Sequence, residues 1–328
     1  VKAEMPVIYS STSLHPEAEA LLRPQADFVV ASSLDAATQL REAGGADVVI
    51  VRAPLPPALF ANAPKLKAAI RHGAGIDMIP YDEATHAGVL IANVPGVNAP
   101  TVAEHVFMVS LMLLRQLRRI DATVRGDGWN AARETANANR DISGKTIGII
   151  GYGNIGGRIA NIARLGFGMD VLIHTRTKKD NVHGRFVGLE ELLGQSDIVV
   201  LCAPLSPETR GLMNAERIGR LKTDAILVNV SRGPVIDDDA LISALAARRI
   251  AGAALDVFVE QPLPSGHPYY GLDNVVITPH MAGLTEESMM RMGLGAAEEA
   301  LRVLRGDLPK NLRNPEALPA FHRRFTNS

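Results

Sequence analysis

The sequence predicts an α/β chain built of two doubly wound parallel-sheet domains. Three observations carry this reading: a length of 328 residues, short β-branched runs alternating with amphipathic stretches throughout, and a restart of the pattern near Lys145. That length suits two domains and a substantial buried core. Strands alternating with helices mark parallel sheets covered on both faces.

In chain order, the first third offers strands at "PVIYS", "DFVVA", "DVVIV", "KAAIR" and "VLIAN". Next comes "NAPTVAEHVFMVSLMLLRQLRRI", predicted as one long helix. Thr101 and Glu104 have the spacing of a capping box, with Asn98 and Pro100 in the approach. Val102, Val106, Val109, Leu113, Leu117 and Ile120 form an apolar stripe, widened by Phe107, Met108, Leu111 and Met112. Such a helix must bury against more than one neighbour, at a domain junction or a subunit interface, and a homodimer is expected. The second set of strands is "KTIGIIG", "DVLIH", "DIVVLC", "AILVNV", "AGAALDV" and "NVVIT". A final helix in "TEESMMRMGLGAAEEALRVLRG" is expected to return the chain to the first domain.

Bulk composition narrows the ligand. With 34 Lys+Arg against 35 Asp+Glu, no overall field favours nucleic acid or an anionic membrane. Aromatics are 4% of residues, too few for a base-stacking surface. The longest apolar run, "VFMVSLMLL", falls short of the roughly 20 residues of a membrane helix. The single cysteine, Cys202, excludes an internal disulfide framework, and with no secretory leader in "VKAEMPVIYSS" the expectation is a cytoplasmic protein. The nine histidines show no metal-ligand spacing with carboxylates or thiols, so no metal is expected. A small-molecule ligand remains.

The glycines of "KTIGIIGYGNIGGRIANIARLG" say which. Gly151, Gly153 and Gly156 follow a strand and open a helix in the G-x-G-x-x-G pattern. The first two permit a tight turn and close approach of backbone to a pyrophosphate, and the third lets helix and strand pack. This makes the second domain a Rossmann dinucleotide-binding domain; the first is expected to be flavodoxin-like. The next strand ends in "HTRTKK", where a carboxylate would grip a ribose 2′-hydroxyl. Thr175 holds that position and Arg176 follows. A hydroxyl beside a guanidinium accepts a phosphate dianion, so NADP is expected over NAD.

Six segments, "HGAGID", "NVPGVNAPTVAEH", the glycine loop, "VNVSRGPVIDDDAL", "GAALDVFVEQPLP" and "ITPHMAG", resemble the D-isomer-specific 2-hydroxyacid dehydrogenases from about residue 45 to 306. The resemblance implies hydride transfer between a nicotinamide and the α-carbon of a 2-keto or 2-hydroxy acid. It divides the chain into a substrate-binding domain, 1–97 plus 287–328, and a dinucleotide-binding domain, 98–286. Arg232 would hold the substrate's carboxylate and keto oxygen, and His280 would exchange a proton with the carbonyl oxygen. Ala74 and Gly75 would offer backbone N–H groups to the carboxylate, with Arg52 and Asn98 also near the substrate. On the cofactor side the resemblance places Asn154, Ile155, Thr177, Cys202, Ala203, Pro204, Thr209, Val230, Asp256 and Gly283. Hydroxypyruvate, glyoxylate and 3-phosphoglycerate all suit such a pocket.

One position departs from the family. Most relatives place glutamate directly before the proline of "VEQPLP", pairing it with the histidine, whereas here Gln261 precedes Pro262. An amide orients the ring without raising its pKa. An imidazole at about 6.5 is still about a quarter protonated at neutral pH, a loss of under about 1 kcal/mol. Formate dehydrogenase, whose substrate needs no proton relay, also carries glutamine here and is the alternative chemistry. A nucleotide-sensing corepressor is the alternative from outside enzymology.

Overall fold

The computed structural model describes residues 4–180 and 182–325. The chain divides into two compact units, Val1–Asn98 with Leu284–Ser328, and Ala99–Gly283. Each holds one parallel sheet.

The first unit runs β1 (Val7–Ser10), α1 (Pro16–Leu22), β2 (Asp27–Val30), α2 (Ala36–Ala43), β3 (Val48–Val51), α3 (Leu59–Asn62), β4 (Ala68–Arg71), α4 (Tyr81–His86) and β5 (Leu90–Asn93). Its strands lie in the order β2-β1-β3-β4-β5, the flavodoxin-like arrangement. Alternation along each strand sorts side chains onto two faces. Ile8, Val48, Ile50, Ile70 and Leu90 pack one core, while Tyr9, Val49, Val51, Ala69 and Ile91 pack the other. Both faces being covered explains why β3 reads as an unbroken apolar run and β5 as one up to its last residue, Asn93.

The second unit runs α5 (Ala99–Leu114), α6 (Leu117–Gly126), α7 (Trp129–Ala136), β6 (Thr146–Ile150), α8 (Asn154–Asn161), β7 (Asp170–His174), β8 (Arg185–Phe186), α9 (Leu189–Gln195), β9 (Ile198–Leu201), α10 (Ala215–Gly219), β10 (Ile226–Asn229), α11 (Asp238–Ala246), β11 (Gly252–Leu255) and β12 (Val275–Ile277). The order β12-β11-β10-β9-β6-β7-β8 reverses between β6 and β9, the switch point of a Rossmann sheet. All the strands expected from sequence form, and the two-residue edge strand β8 was not foreseen.

The chain then supplies α12 (Glu286–Leu304) and α13 (Leu318–Phe325) to the first unit. Thr285 caps α12 by accepting from Ser288 N at 3.2 Å, a contact worth about 1 kcal/mol. Met292, Ala296 and Ala300 recur one turn apart on its buried side. At Gly293 an added Cβ would stand 3.0 Å from the Cβ of Ala18, so the small residue lets α12 lie close on α1.

The expected single long helix is two. Residues 99–114 form α5, Gln116 adopts a left-handed φ of 49°, and α6 starts afresh at Leu117. The Leu114 carbonyl accepts from the distant Arg140 N at 3.0 Å instead of from the next helical turn, and Arg118 Nη1 donates to Val275 O at 2.7 Å. The stripe therefore holds through Val102, Val106 and Val109, all buried, and fails at Leu117, which is 53% exposed. The capping box also fails, because α5 begins at Ala99 and encloses Thr101 as a buried helical residue.

Candidate active site

The strands of the second sheet are parallel, so the segments leaving β6, β7, β9, β10, β11 and β12 share one edge. The glycine loop leaves β6 there. Gly151 has φ 101°, and a Cβ on it would stand 2.5 Å from Ala203 N. On Gly156 a Cβ would stand 2.1 Å from Gly151 O, so only glycine lets α8 start this close to the strand. Gly153, by contrast, faces open space. Helix α8 starts at Asn154 and Ile155 with no side-chain cap, so its first N–H groups keep their donor capacity. An uncapped helix start with open space at its capping glycine suits a dinucleotide pyrophosphate.

Cys202, Ala203 and Pro204 form the adjacent turn after β9. The Cys202 thiol donates to Gly151 O at 3.0 Å, and burial pushes it up to about 12, so it buttresses the loop as an inert group. Thr209 Oγ1 donates to Pro204 O at 2.8 Å and accepts from Ser206 N at 2.8 Å, closing that turn on itself. Val230 N donates to Leu201 O at 3.2 Å, tying the β10 exit to the same edge. At the end of β7, Thr175 is partly buried and Arg176 and Thr177 are exposed. The Arg176 guanidinium lies 3.9 Å from Glu208, whose carboxylate is held below its usual range by the Ser206 hydroxyl.

At the end of β10, Asn229 folds the chain back on itself. Its Oδ1 accepts from Ser231 N and its Nδ2 donates to Arg232 O, both at 3.0 Å. Gly233 then passes so close to Phe258 that a Cβ would meet its carbonyl carbon at 2.0 Å. Phe258 O receives Gln261 Nε2 at 3.2 Å, which orients the amide so that Gln261 Oε1 meets His280 Nδ1 at 2.9 Å. A continuous run of contacts thus links the segments bearing Arg232, Gln261 and His280.

His280 is exposed and left-handed, with φ 52°. Its N–H donates to Asp256 O at 2.9 Å. The buried Asp256 carboxylate accepts from Thr278 Oγ1 at 2.7 Å, Met281 N at 2.8 Å and Ala282 N at 3.0 Å, so it fixes the turn carrying the imidazole and running on to Gly283. His105 Nε2 lies 3.4 Å from Thr278 Oγ1, and burial holds this histidine below its ordinary value. Sequence reading missed Asn229, Thr278 and His105. Only Asn229 carried a signal, as the one polar residue closing an otherwise apolar strand.

In the first unit, "RHGAGID" leaves the end of β4. His72 is buried, its Nε2 has no hydrogen-bond partner among the described residues, and burial with Arg52 and Arg71 nearby depresses it to about 3. The amide N–H groups of Gly73, Ala74 and Gly75 have no partner among the described residues. Arg52 is half-buried, donates to Ser13 O and reaches Met289 Sδ at 4.0 Å, and burial lowers its pKa. Asn98 sits partly buried in the turn at the end of this unit's first segment.

Comparison with known proteins agrees with this chemistry. The family model described as D-isomer specific 2-hydroxyacid dehydrogenase, NAD binding domain, matches residues 107–282, more than half of the chain. A glyoxylate reductase of Korarchaeum cryptofilum is 37% identical over 276 residues, 83% of this chain and 83% of that protein. The structure of an NADPH-dependent glyoxylate/hydroxypyruvate reductase from Sinorhizobium meliloti in complex with citrate superposes with a TM-score of 0.84 at 26% identity, covering 95% of this chain and 98% of that one. An NAD-dependent formate dehydrogenase from Staphylococcus aureus in complex with NAD gives 0.82 at 27% identity, covering 94% and 99%. The glycine loop, the imidazole turn and these likenesses together make the chain a member of the D-isomer specific 2-hydroxyacid dehydrogenase family.

Proposed function

We propose that this enzyme reduces small 2-keto acids of the glyoxylate and hydroxypyruvate type to D-2-hydroxy acids, with NADPH preferred over NADH. The observation that carries the reading is the 2.9 Å contact between His280 Nδ1 and Gln261 Oε1. An amide oxygen only accepts, so Nδ1 carries a proton and Nε2 is the nitrogen that gives and takes one. When bound, the reduced nicotinamide supplies a hydride to the keto carbon. Protonated His280 gives its Nε2 proton to the carbonyl oxygen, leaving a neutral imidazole, and Arg232 polarises that oxygen through its planar fork of donors. Ala74 and Gly75 N–H groups hold the carboxylate, since unpartnered backbone amides in a glycine turn form an anion site. Arg52 serves a distal anionic group where the substrate has one, as in a 3-phosphoglycerate type.

Gly151, Gly153 and the start of α8 would hold the pyrophosphate. Thr175 and Arg176 stand where a carboxylate would reject a 2′-phosphate, and the S. meliloti relative is described as NADPH-dependent. Met108, Leu117, Val124 and Trp129 are exposed apolar residues on α5, α6 and α7, and a second copy of the chain is the partner they suit.

The deciding experiment is a panel of glyoxylate, hydroxypyruvate, pyruvate and 3-phosphohydroxypyruvate assayed by nicotinamide absorbance with each reduced cofactor. Turnover of a 2-keto acid with at least tenfold higher kcat/KM for NADPH is expected. Formate oxidation with the oxidised cofactor and no keto-acid turnover would assign the formate dehydrogenase chemistry, for which Gln261 needs no proton relay. Binding of dinucleotide without any turnover would mark a sensor.

A further inference from the structure

Four successive carbonyls of the substrate loop are bound from behind. His72 O accepts from Arg71 Nη1 at 2.8 Å and Gly75 O accepts from Arg71 Nε at 3.0 Å, while the same Nη1 also reaches Val51 O at 2.8 Å. Gly73 O accepts from Val94 N at 2.9 Å, and Ala74 O accepts from Asn93 Nδ2 at 2.5 Å. Two side chains therefore take three of the four, Arg71 from the last residue of β4 and Asn93 from the last residue of β5. The turn can follow this path because Gly73 adopts φ 128°, closed to other residues.

The consequence lies in the opposite groups. With carbonyls 72–75 fixed inward, the peptide planes are fixed too, and the N–H groups of Gly73, Ala74 and Gly75, in the peptides of carbonyls 72–74, have no partner among the described residues. A turn not held this way would reorient its peptides at little expense, because glycine-rich backbone has many accessible conformations. Arg71 suits the task in a way lysine does not, since its rigid fork reaches carbonyls of two different segments at once.

We propose that Arg71 and Asn93 are positioning residues for substrate recognition: touching no substrate, they lock the 72–75 turn in the form whose amides select a carboxylate. This rests on the reading of those amides as the carboxylate site. It adds a determinant of acid specificity that sits behind the contact surface.

The test compares glyoxylate with its uncharged amide, glyoxylamide, at saturating NADPH in the wild-type enzyme and in Arg71→Met, Arg71→Lys and Asn93→Ala. The measured quantity is the ratio of kcat/KM for acid over amide. The expected result is a fall in that ratio of at least tenfold in Arg71→Met, through a raised KM for the acid, with kcat and the KM for NADPH within about twofold of wild type. Arg71→Lys should fall between, holding one carbonyl, and Asn93→Ala should show a smaller loss of the same kind. Asn93→Ala removes one bond at a strand end and serves where Arg71→Met does not fold, as judged by thermal melting. A variant that loses acid and amide turnover in equal proportion, or one that keeps the wild-type ratio, overturns the positioning role. Wild-type enzyme without any preference for the acid would instead overturn the carboxylate site itself, and the clamp with it.

Discussion

The molecule presents backbone amides in two glycine-rich turns, each leaving a parallel strand, and it fixes them by different means. The turn after β6 relies on a helix: α8 begins within it, and Gly151 and Gly156 let its backbone pack tightly on neighbouring backbone. No helix begins within the turn after β4. Side chains from β4 and β5 pin its carbonyls instead. A helix start offers aligned amides and a macrodipole suited to a pyrophosphate. A pinned turn offers a small, local set of amides matched to one carboxylate. The first is held by steric fit, the second by hydrogen bonds, so different changes should break each.

The largest effect is expected from Gly156→Ala. Its Cβ would stand 2.1 Å from Gly151 O, a backbone atom that cannot swing aside. NADPH affinity in a fluorescence titration should fall by about 100-fold or more, with a lowered melting temperature, since overpacking of this kind costs about 1–3 kcal/mol or more. Gly153→Ala projects into open space and should melt like wild type while still weakening the cofactor. Equal melting of the two variants would remove the steric half of the comparison.

Acid should separate the turns next. His72 lies within the pinned turn and is depressed to about 3 by burial and the neighbouring Arg52 and Arg71. The unfolded chain, with its histidine at about 6.5, binds the proton first, so stability contributed by the neutral buried ring is complete above about pH 6.5 and is lost as pH falls toward 3. Thermal melts between pH 7.5 and 4.5 should show a decline of a few kcal/mol at most, about 1.4 per unit of pH while only the unfolded form is protonated. Hydrogen exchange should quicken at 72–75 before 151–156. His72→Asn should flatten the decline, and an unchanged slope would assign the acid sensitivity elsewhere.

A third expectation concerns the imidazole turn. Gln261→Glu places a carboxylate on His280 Nδ1, which favours the charged ring and raises its pKa by roughly 1 to 3 units. The proton is then retained to higher pH, so the alkaline fall in keto-acid reduction should move upward in a pH–rate profile. An unmoved profile would show that His280 is not the proton donor.

The smallest effect belongs to the exposed strand end. Arg176→Ala should lower the NADPH:NADH preference by about tenfold, the loss of one charge-assisted contact of about 1.5 kcal/mol. Glu208→Gln should raise it by about twofold, because the carboxylate 3.9 Å from Arg176 competes with a 2′-phosphate for the same guanidinium and both groups are screened by solvent. Steady-state kinetics with both cofactors measures each ratio.

Much of this was legible in the sequence because it depends on local pattern. The other strands announced themselves as short, mostly apolar runs, and among the described residues only β8, two residues long at a sheet edge, gave no pattern to read. Gly151 and Gly156 were legible because each answers a local steric demand, whereas Gly153 faces open space and was legible only as part of the glycine spacing. Arg232, His280 and Gln261 stood out by resemblance alone, and the structure brings the Gln261 amide to the imidazole ring.

What tertiary structure alone decided are the places where a polar group finds a partner distant in sequence. Gln116 is a good helix former, and nothing local stops the helix there. It ends because Arg140, 26 positions beyond Leu114, supplies the donor its carbonyl needs. Arg71 carries no local signal, and only the fold sets Val51 and Gly75 around its guanidinium; Asp256, expected by resemblance beside the cofactor, is also given two amides and a hydroxyl of the histidine turn. Sequence encodes which groups must be satisfied, by period and by residue type. Which distant group satisfies them is fixed only when the sheet closes and brings strand ends side by side.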